Sequence, residues 1–197
     1  MKLVIGISGA SGAIYGVRML QVLREVGVET HLVMSDAAKR TIAYETDFSI
    51  DQVRSLASHA HDINDIGAGI ASGSFRHDGM VIAPCSIKTL SAVANSFATN
   101  LLVRAADVTL KERRKLVLML RETPLHLGHL RLMMQATESG AVVMPPLPAF
   151  YHRPKSIEDI VDQSVNKVLD QFDLGVDIDL FTRWTGNEER ERARNGR

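Results

Sequence analysis

Apolar and polar positions fall into a repeating pattern: short uninterrupted apolar runs, each followed by a longer stretch with a helical period. Leu3-Val4-Ile5-Gly6-Ile7 carries no charge and reads as a strand covered on both faces. Beyond it Tyr15, Met19, Val22 and Val26 recur at i, i+4, i+7 and i+11, with Arg18, Gln21, Arg24 and Glu25 opposite, so a helix covers that strand until Gly27. Residues 30–34 predict a second strand, and Ser35 caps a helix that begins Asp36-Ala37-Ala38. Ser49-x-x-Gln52 is a capping box for a short helix, after which residues 59–78 are polar and glycine-rich and read mostly as loop. A third strand over 80–83 is broken by Pro84, and Ser86 to Thr89 cap a helix over 90–97. A helix over 101–110, a strand over 116–120, a helix over 126–139 closed by Gly140 and a strand over 141–144 come next. Pro145-Pro146-Leu147-Pro148 stops that strand, and Ser156-x-x-Asp159 opens the last helix, in which Ile157, Ile160, Val161, Val165, Val168, Leu169 and Phe172 keep helical spacing.

Strands alternating with helices of this length predict a three-layer, doubly wound, Rossmann-like α/β fold with a parallel sheet. At 197 residues one domain, 1–186, is the expectation, followed by a charged tail over 187–197 with no apolar face, read as disordered. Ligands in such sheets bind beyond the carboxyl ends of the strands. The residues just past each strand are Gly9 to Ser11, Ser35, Ser86 to Thr89, Arg121-Glu122 and the segment 145–151. Gly6-x-x-Gly9-x-x-Gly12 is neither a dinucleotide fingerprint nor a P-loop. A phosphate on the amides of the helix start and a purely structural turn both remain open on this motif.

Charge changes the picture by exclusion. Lysines and arginines number 23 and acids 23, which argues against a sequence-independent grip on nucleic acid or an anionic membrane. No apolar run approaches the roughly 18 residues of a membrane span, and a single cysteine fits a reducing compartment, so a soluble cytoplasmic protein is expected. Cys85 reads as a small buried hydrophobe, since no histidine in its segment activates it. His126 and His129 stand at i, i+3 without a third ligand, and no metal site is expected there. His59 and His61 read as surface residues. The cluster Lys111 to Lys115 reads as a solvated helix end, with Lys111 the exception to watch, and Glu45 stands where it opposes its own helix dipole.

Several motifs together resemble the UbiX flavin prenyltransferases, within the wider group of flavin-containing cysteine decarboxylase-like folds. They are Gly6-Ile7-Ser8-Gly9-Ala10-Ser11-Gly12-Ala13, Glu45-Thr46-Asp47, Pro84-Cys85-Ser86-Ile87-Lys88-Thr89-Leu90-Ser91, Arg104-Ala105-Ala106-Asp107-Val108, Leu110-Lys111-Glu112-Arg113-Arg114, Arg121-Glu122-Thr123-Pro124 and Pro148-Ala149-Phe150-Tyr151. The resemblance runs over about residues 3–184. It implies a flavoprotein fold and an enzyme that joins a dimethylallyl group from dimethylallyl monophosphate to N5 and C6 of reduced FMN. The product, prenylated FMN, serves a UbiD-type decarboxylase in ubiquinone biosynthesis or aromatic acid decarboxylation.

Carried over by position, the resemblance implies that Gly9, Ala10, Ser11, Ser35, Ser86, Ile87, Lys88, Thr89 and Arg121 hold FMN. It gives Tyr151 and Lys167 to the dimethylallyl phosphate, with Lys111, Arg121 and Glu122 beside it and Trp184 near the prenyl group. Ser11 and Glu45 match polar groups near the reacting flavin edge, and Glu122 is the expected acid/base group. Cations and the Tyr151 hydroxyl can stabilise the departing phosphate without a metal. The family often has arginine where Lys167 stands, so a point charge replaces a planar fork. A homododecamer with sites at subunit junctions is also implied, with Tyr151, Lys167 and Trp184 serving a neighbour's flavin. Two rival readings are a flavin-dependent cysteine decarboxylase, which Ser11 and Arg121-Glu122 argue against, and a flavin carrier without chemistry.

Overall fold

The computed structural model describes residues 1–184 and Gly186, so the expectation for the 187–197 tail lies outside the described residues. Six parallel strands form one sheet: β1 (Lys2–Ile7), β2 (Glu29–Met34), β3 (His59–His61), β4 (Gly79–Cys85), β5 (Lys115–Leu120) and β6 (Ala141–Val143). Their spatial order is β3-β2-β1-β4-β5-β6. The chain therefore builds outward from β1 on one side, returns, and builds outward on the other. The topological switch lies between β1 and β4, where the fold opens a crevice at the carboxyl ends.

Helices α1 (Ala13–Glu25), α2 (Asp36–Glu45), α3 (Ile50–Leu56) and α7 (Ile157–Leu169) cover one face. Helices α4 (Ile87–Ala94), α5 (Leu101–Lys111) and α6 (Leu127–Glu138) cover the other. Strand alternation divides the core: Leu3, Ile5 and Ile7 pack under α1 and α7, whereas Val4, Met80 and Ile82 pack under α4 and α5. Burial of Val165, Val168 and Leu169 seats α7, and truncating one such side chain to alanine costs about 2–5 kcal/mol. Arg18 and Asp162 join α1 to α7 through a two-pronged ion pair, with Nε to Oδ1 at 2.6 Å.

Three expectations need correction. Residues 59–78 are mostly loop as expected, but within them His59–His61 pair with β2 as a sixth strand beyond the five expected, at the sheet edge. Three residues with two histidines give no readable period. Pro84 does not break the third strand, which continues to Cys85; the β4–β5 register shifts between Ile82 and Cys85, where proline has no N–H for the ladder. The next helix starts at Ile87, earlier than expected, because Ser86 itself is the cap, its hydroxyl accepting from the Thr89 amide at 3.3 Å.

Candidate active site

A cavity of about 660 Å³ opens at the carboxyl edge, beside the switch between β1 and β4. Its size lies within the range of small-molecule sites. Residues just past the carboxyl ends of five strands line it, and four of those strands carry the expected positions. The turn after β1 brings Gly9, Ala10 and Ser11; β2 brings Ser35; β4 brings Ser86, Ile87, Lys88 and Thr89; β5 brings Arg121 and Glu122. All nine positions expected to hold a flavin thus line one cavity.

Small residues make this approach possible. A Cβ on Gly9 would fall 2.2 Å from the Ala37 Cβ, so the β1 turn and the start of α2 touch backbone to side chain. Gly12 holds φ at +95°, a left-handed angle that favours glycine, and starts α1 from there. Ser8 ties the two sides of the switch: its hydroxyl donates to the Pro84 carbonyl at 2.9 Å and accepts from the Ser86 amide at 2.7 Å.

Helix starts divide their labour. The Gly12 and Ala13 amides, at the opening of α1, donate to Glu45 Oε2 at 2.7 and 3.3 Å. The amides considered for a phosphate at the first turn therefore already hold a carboxylate. That arrangement also explains why Glu45 sits against its own helix dipole: the end of α2 meets the positive end of α1. The starts of α2 and α4 face the cavity instead, with Asp36-Ala37 and Ile87-Lys88 in its lining and first-turn amides that have no intrahelical acceptor and could take an anion. Arg40, Lys88 and Arg121 add positive charge around the same space.

Arg121 and Glu122 come directly after β5. The Arg121 amide donates to the Cys85 carbonyl at 3.0 Å, which fixes where both side chains leave the sheet. Glu122 is half-buried, and its Oε1 accepts from the Thr123 amide at 3.1 Å. Cys85 lies wholly buried behind this wall, and burial pushes its thiol up to about 12, so it stays protonated and inert at neutral pH.

Other expected site residues do not join the cavity within one chain. Lys111 ends α5 and precedes the start of β5, which puts it at the opposite, amino edge of the sheet. There its ammonium pairs with Glu112, whose carboxyl it holds below the usual range. Lys167 lies in the last turn of α7, 3.7 Å from Asp170, and that helix leads to Phe172, packed on Gly79 at the start of β4. Tyr151 meets Trp184 edge to face at 6.1 Å and Phe181 at 6.3 Å, an aromatic group on the C-terminal segment. Sequence reasoning missed Ile63, Asn64, Asn100 and Arg40 on the cavity wall. Ile63 and Asn64 lie just past β3, so recognising that strand would have found them.

A family model described as Flavoprotein matches residues 1–169. The flavin prenyltransferase UbiX of Thauera aromatica is 76% identical over 195 residues, covering 99% of this chain and 100% of the relative. A solved structure of AnUbiX (PadA1) with FMN and dimethylallyl pyrophosphate superposes at a TM-score of 0.92 with 53% identity, covering 95% of this chain and 98% of that one. A dodecameric FMN-dependent UbiX-like decarboxylase from Escherichia coli O157:H7 superposes at 0.91 with 50% identity, covering 94% of this chain and 100% of that one. With a carboxyl-edge cavity built as the flavoprotein fold requires, and with identity of this extent, the chain belongs to the UbiX family of flavin prenyltransferases.

Proposed function

We propose that the protein transfers a dimethylallyl group from dimethylallyl monophosphate to N5 and C6 of reduced FMN. The observation that carries this reading is the convergence of Gly9 to Ser11, Ser35, Ser86 to Thr89, Arg121 and Glu122 on one cavity. FMN supplies the electron-rich ring that accepts the prenyl group. Small hydroxyls and helix-start amides from α2 and α4 suit its phosphate, and Gly9 keeps the turn flat enough for a ring to lie against it.

The remaining chemistry belongs to side chains. When the allylic C–O bond breaks, its electron pair leaves with the phosphate, and Arg121, on the cavity wall, is the bidentate donor for that growing charge. Glu122 is the acid/base group: its carboxylate takes up a proton, including the one that leaves flavin C6, or hands one to the departing phosphate. Ser11 and Glu45 orient the reacting edge, Glu45 through its hold on the Gly12 and Ala13 amides.

Lys111, Tyr151, Lys167 and Trp184 enter as donor-binding groups from neighbouring copies, since within one chain Lys111 lies at the opposite edge from Arg121. A related protein is dodecameric, which supports the same assembly here. The product serves a UbiD-type decarboxylase in the cytoplasm. Among the described residues no helix is long and apolar enough to cross a membrane.

The test is anaerobic. Purified protein is incubated with reduced FMN and either dimethylallyl monophosphate or the pyrophosphate, and the mass of the extracted flavin is measured by mass spectrometry. A gain of one C5H8 unit with the monophosphate is expected. Unmodified FMN from folded, flavin-loaded protein with both donors would overturn the transferase reading in favour of a carrier.

A further inference from the structure

The edge formed by β2 and β3 gathers a set of ligand-type side chains that the prenyl transfer does not use. His31 and His59 are register partners on adjacent strands, and His61 lies two residues further along the same face. His31 is 5% exposed, which is unusual for an imidazole at a sheet edge. Its Nε2 lies 3.1 Å from Glu29 Oε1, and His59 Nε2 lies 3.6 Å from the same oxygen. These three donor atoms all fall within 4.8 Å of one another. Ligand atoms about 2.0–2.1 Å from a tetrahedral zinc ion stand roughly 3.3 Å apart, so the two measured edges to Glu29 already match that spacing.

We infer that Glu29, His31 and His59 form a site for a borderline divalent transition ion of the zinc class, which clips β3 to β2. The outer group is in place as well. His31 Nδ1 lies 2.9 Å from His61 Nε2: without an ion Nε2–H donates to Glu29 and Nδ1 accepts from His61, and an ion on Nε2 requires the other tautomer, with Nδ1–H donating to His61. Lys2 is the competitor, its ammonium 3.0 Å from the same Glu29 oxygen. An arriving cation displaces it toward the Phe75 ring, whose centroid is already 4.8 Å from Lys2 Nζ. The role is structural: β3 is three residues long, and the chain leaving it supplies Ile63 and Asn64 to the cavity wall.

The experiment titrates tag-free, metal-stripped full-length protein with Co²⁺, then displaces it with Zn²⁺. The expected result is one Co²⁺ per protomer with the intense visible absorption of a four-coordinate ion, and a rise in Tm of about 5 °C or more at saturating Zn²⁺. His59→Ala, at an exposed position, weakens binding by more than the ~10- to 100-fold that an outer-shell loss costs; His61→Ala falls within that range. Glu29→Gln matches His59→Ala, and Lys2→Met binds more tightly than the parent. His126→Ala leaves the titration unchanged. Absence of stoichiometric Co²⁺ binding in the folded parent, or binding that survives both His59→Ala and Glu29→Gln, overturns the inference.

Discussion

The two ends of the sheet are built by different rules. At the carboxyl edge, short turns bring small residues and helix starts together, and one chain brings all the expected flavin positions to one cavity. At the amino edge, Lys111 and Lys167 lie at helix ends, each beside an acid of its own chain, Glu112 and Asp170. On the proposed function, the flavin positions lie within one protomer, whereas Lys111 and Lys167 reach the prenyl donor only from a neighbouring copy. Topology explains the difference: crossover connections deliver every βα turn to one edge, and nothing in the fold can carry the far end of α5 there.

The sharpest break in that contrast comes from Glu122. Glu122→Gln keeps the shape and FMN content but lowers single-turnover prenylation by about 100-fold or more. A variant with full rate would move the proton-handling role elsewhere. Next comes the assembly. Lys111→Ala loses roughly tenfold or more in prenylation while FMN affinity holds, as expected for a phosphate-binding charge. Mixed oligomers of Lys111→Ala and Glu122→Gln chains then recover part of the activity, because some sites take each good residue from a different copy. No recovery after verified subunit exchange would place both residues in one chain's site.

A smaller effect tests the cavity alone. Gly9→Ala sets a methyl 2.2 Å from Ala37, so it costs about 1–3 kcal/mol in urea unfolding and reduces FMN retained on purification. The smallest expected effect lies away from both ends. His31, His61 and His77 have pKa values lowered chiefly by burial. Above the unfolded pKa of about 6.5 both states are neutral there and stability does not change with pH. Below it the unfolded chain binds the protons first, so stability falls as pH falls. Metal-free protein should show a Tm that drops between about pH 6.5 and 5, and His61→Gln should flatten part of that slope.

Most of the carboxyl edge was legible from the sequence because its signals are local. Ser35, Ser49, Ser86 and Ser156 each cap the helix their spacing announced, and each strand but one has a readable apolar run. The hidden features depend on distant pairing. Nothing near His59 says that it will lie beside His31, and the β2–β3 pairing that brings them together has no hydrophobic period on the β3 side. The partner of Glu45 was hidden for the same reason: its carboxylate meets amides 33 and 32 residues away. Lys111 was legible as an unusual charge but not as a residue at the far edge, since a motif carries no direction in space.

The two outermost strands, β3 and β6, are each three residues long. A sheet ending this way presents too few free backbone groups to template a strand from another molecule, so it resists growth by edge-to-edge addition. Copies of this chain are left to meet through helices and side chains, which favours closed, finite shells over open-ended fibrils.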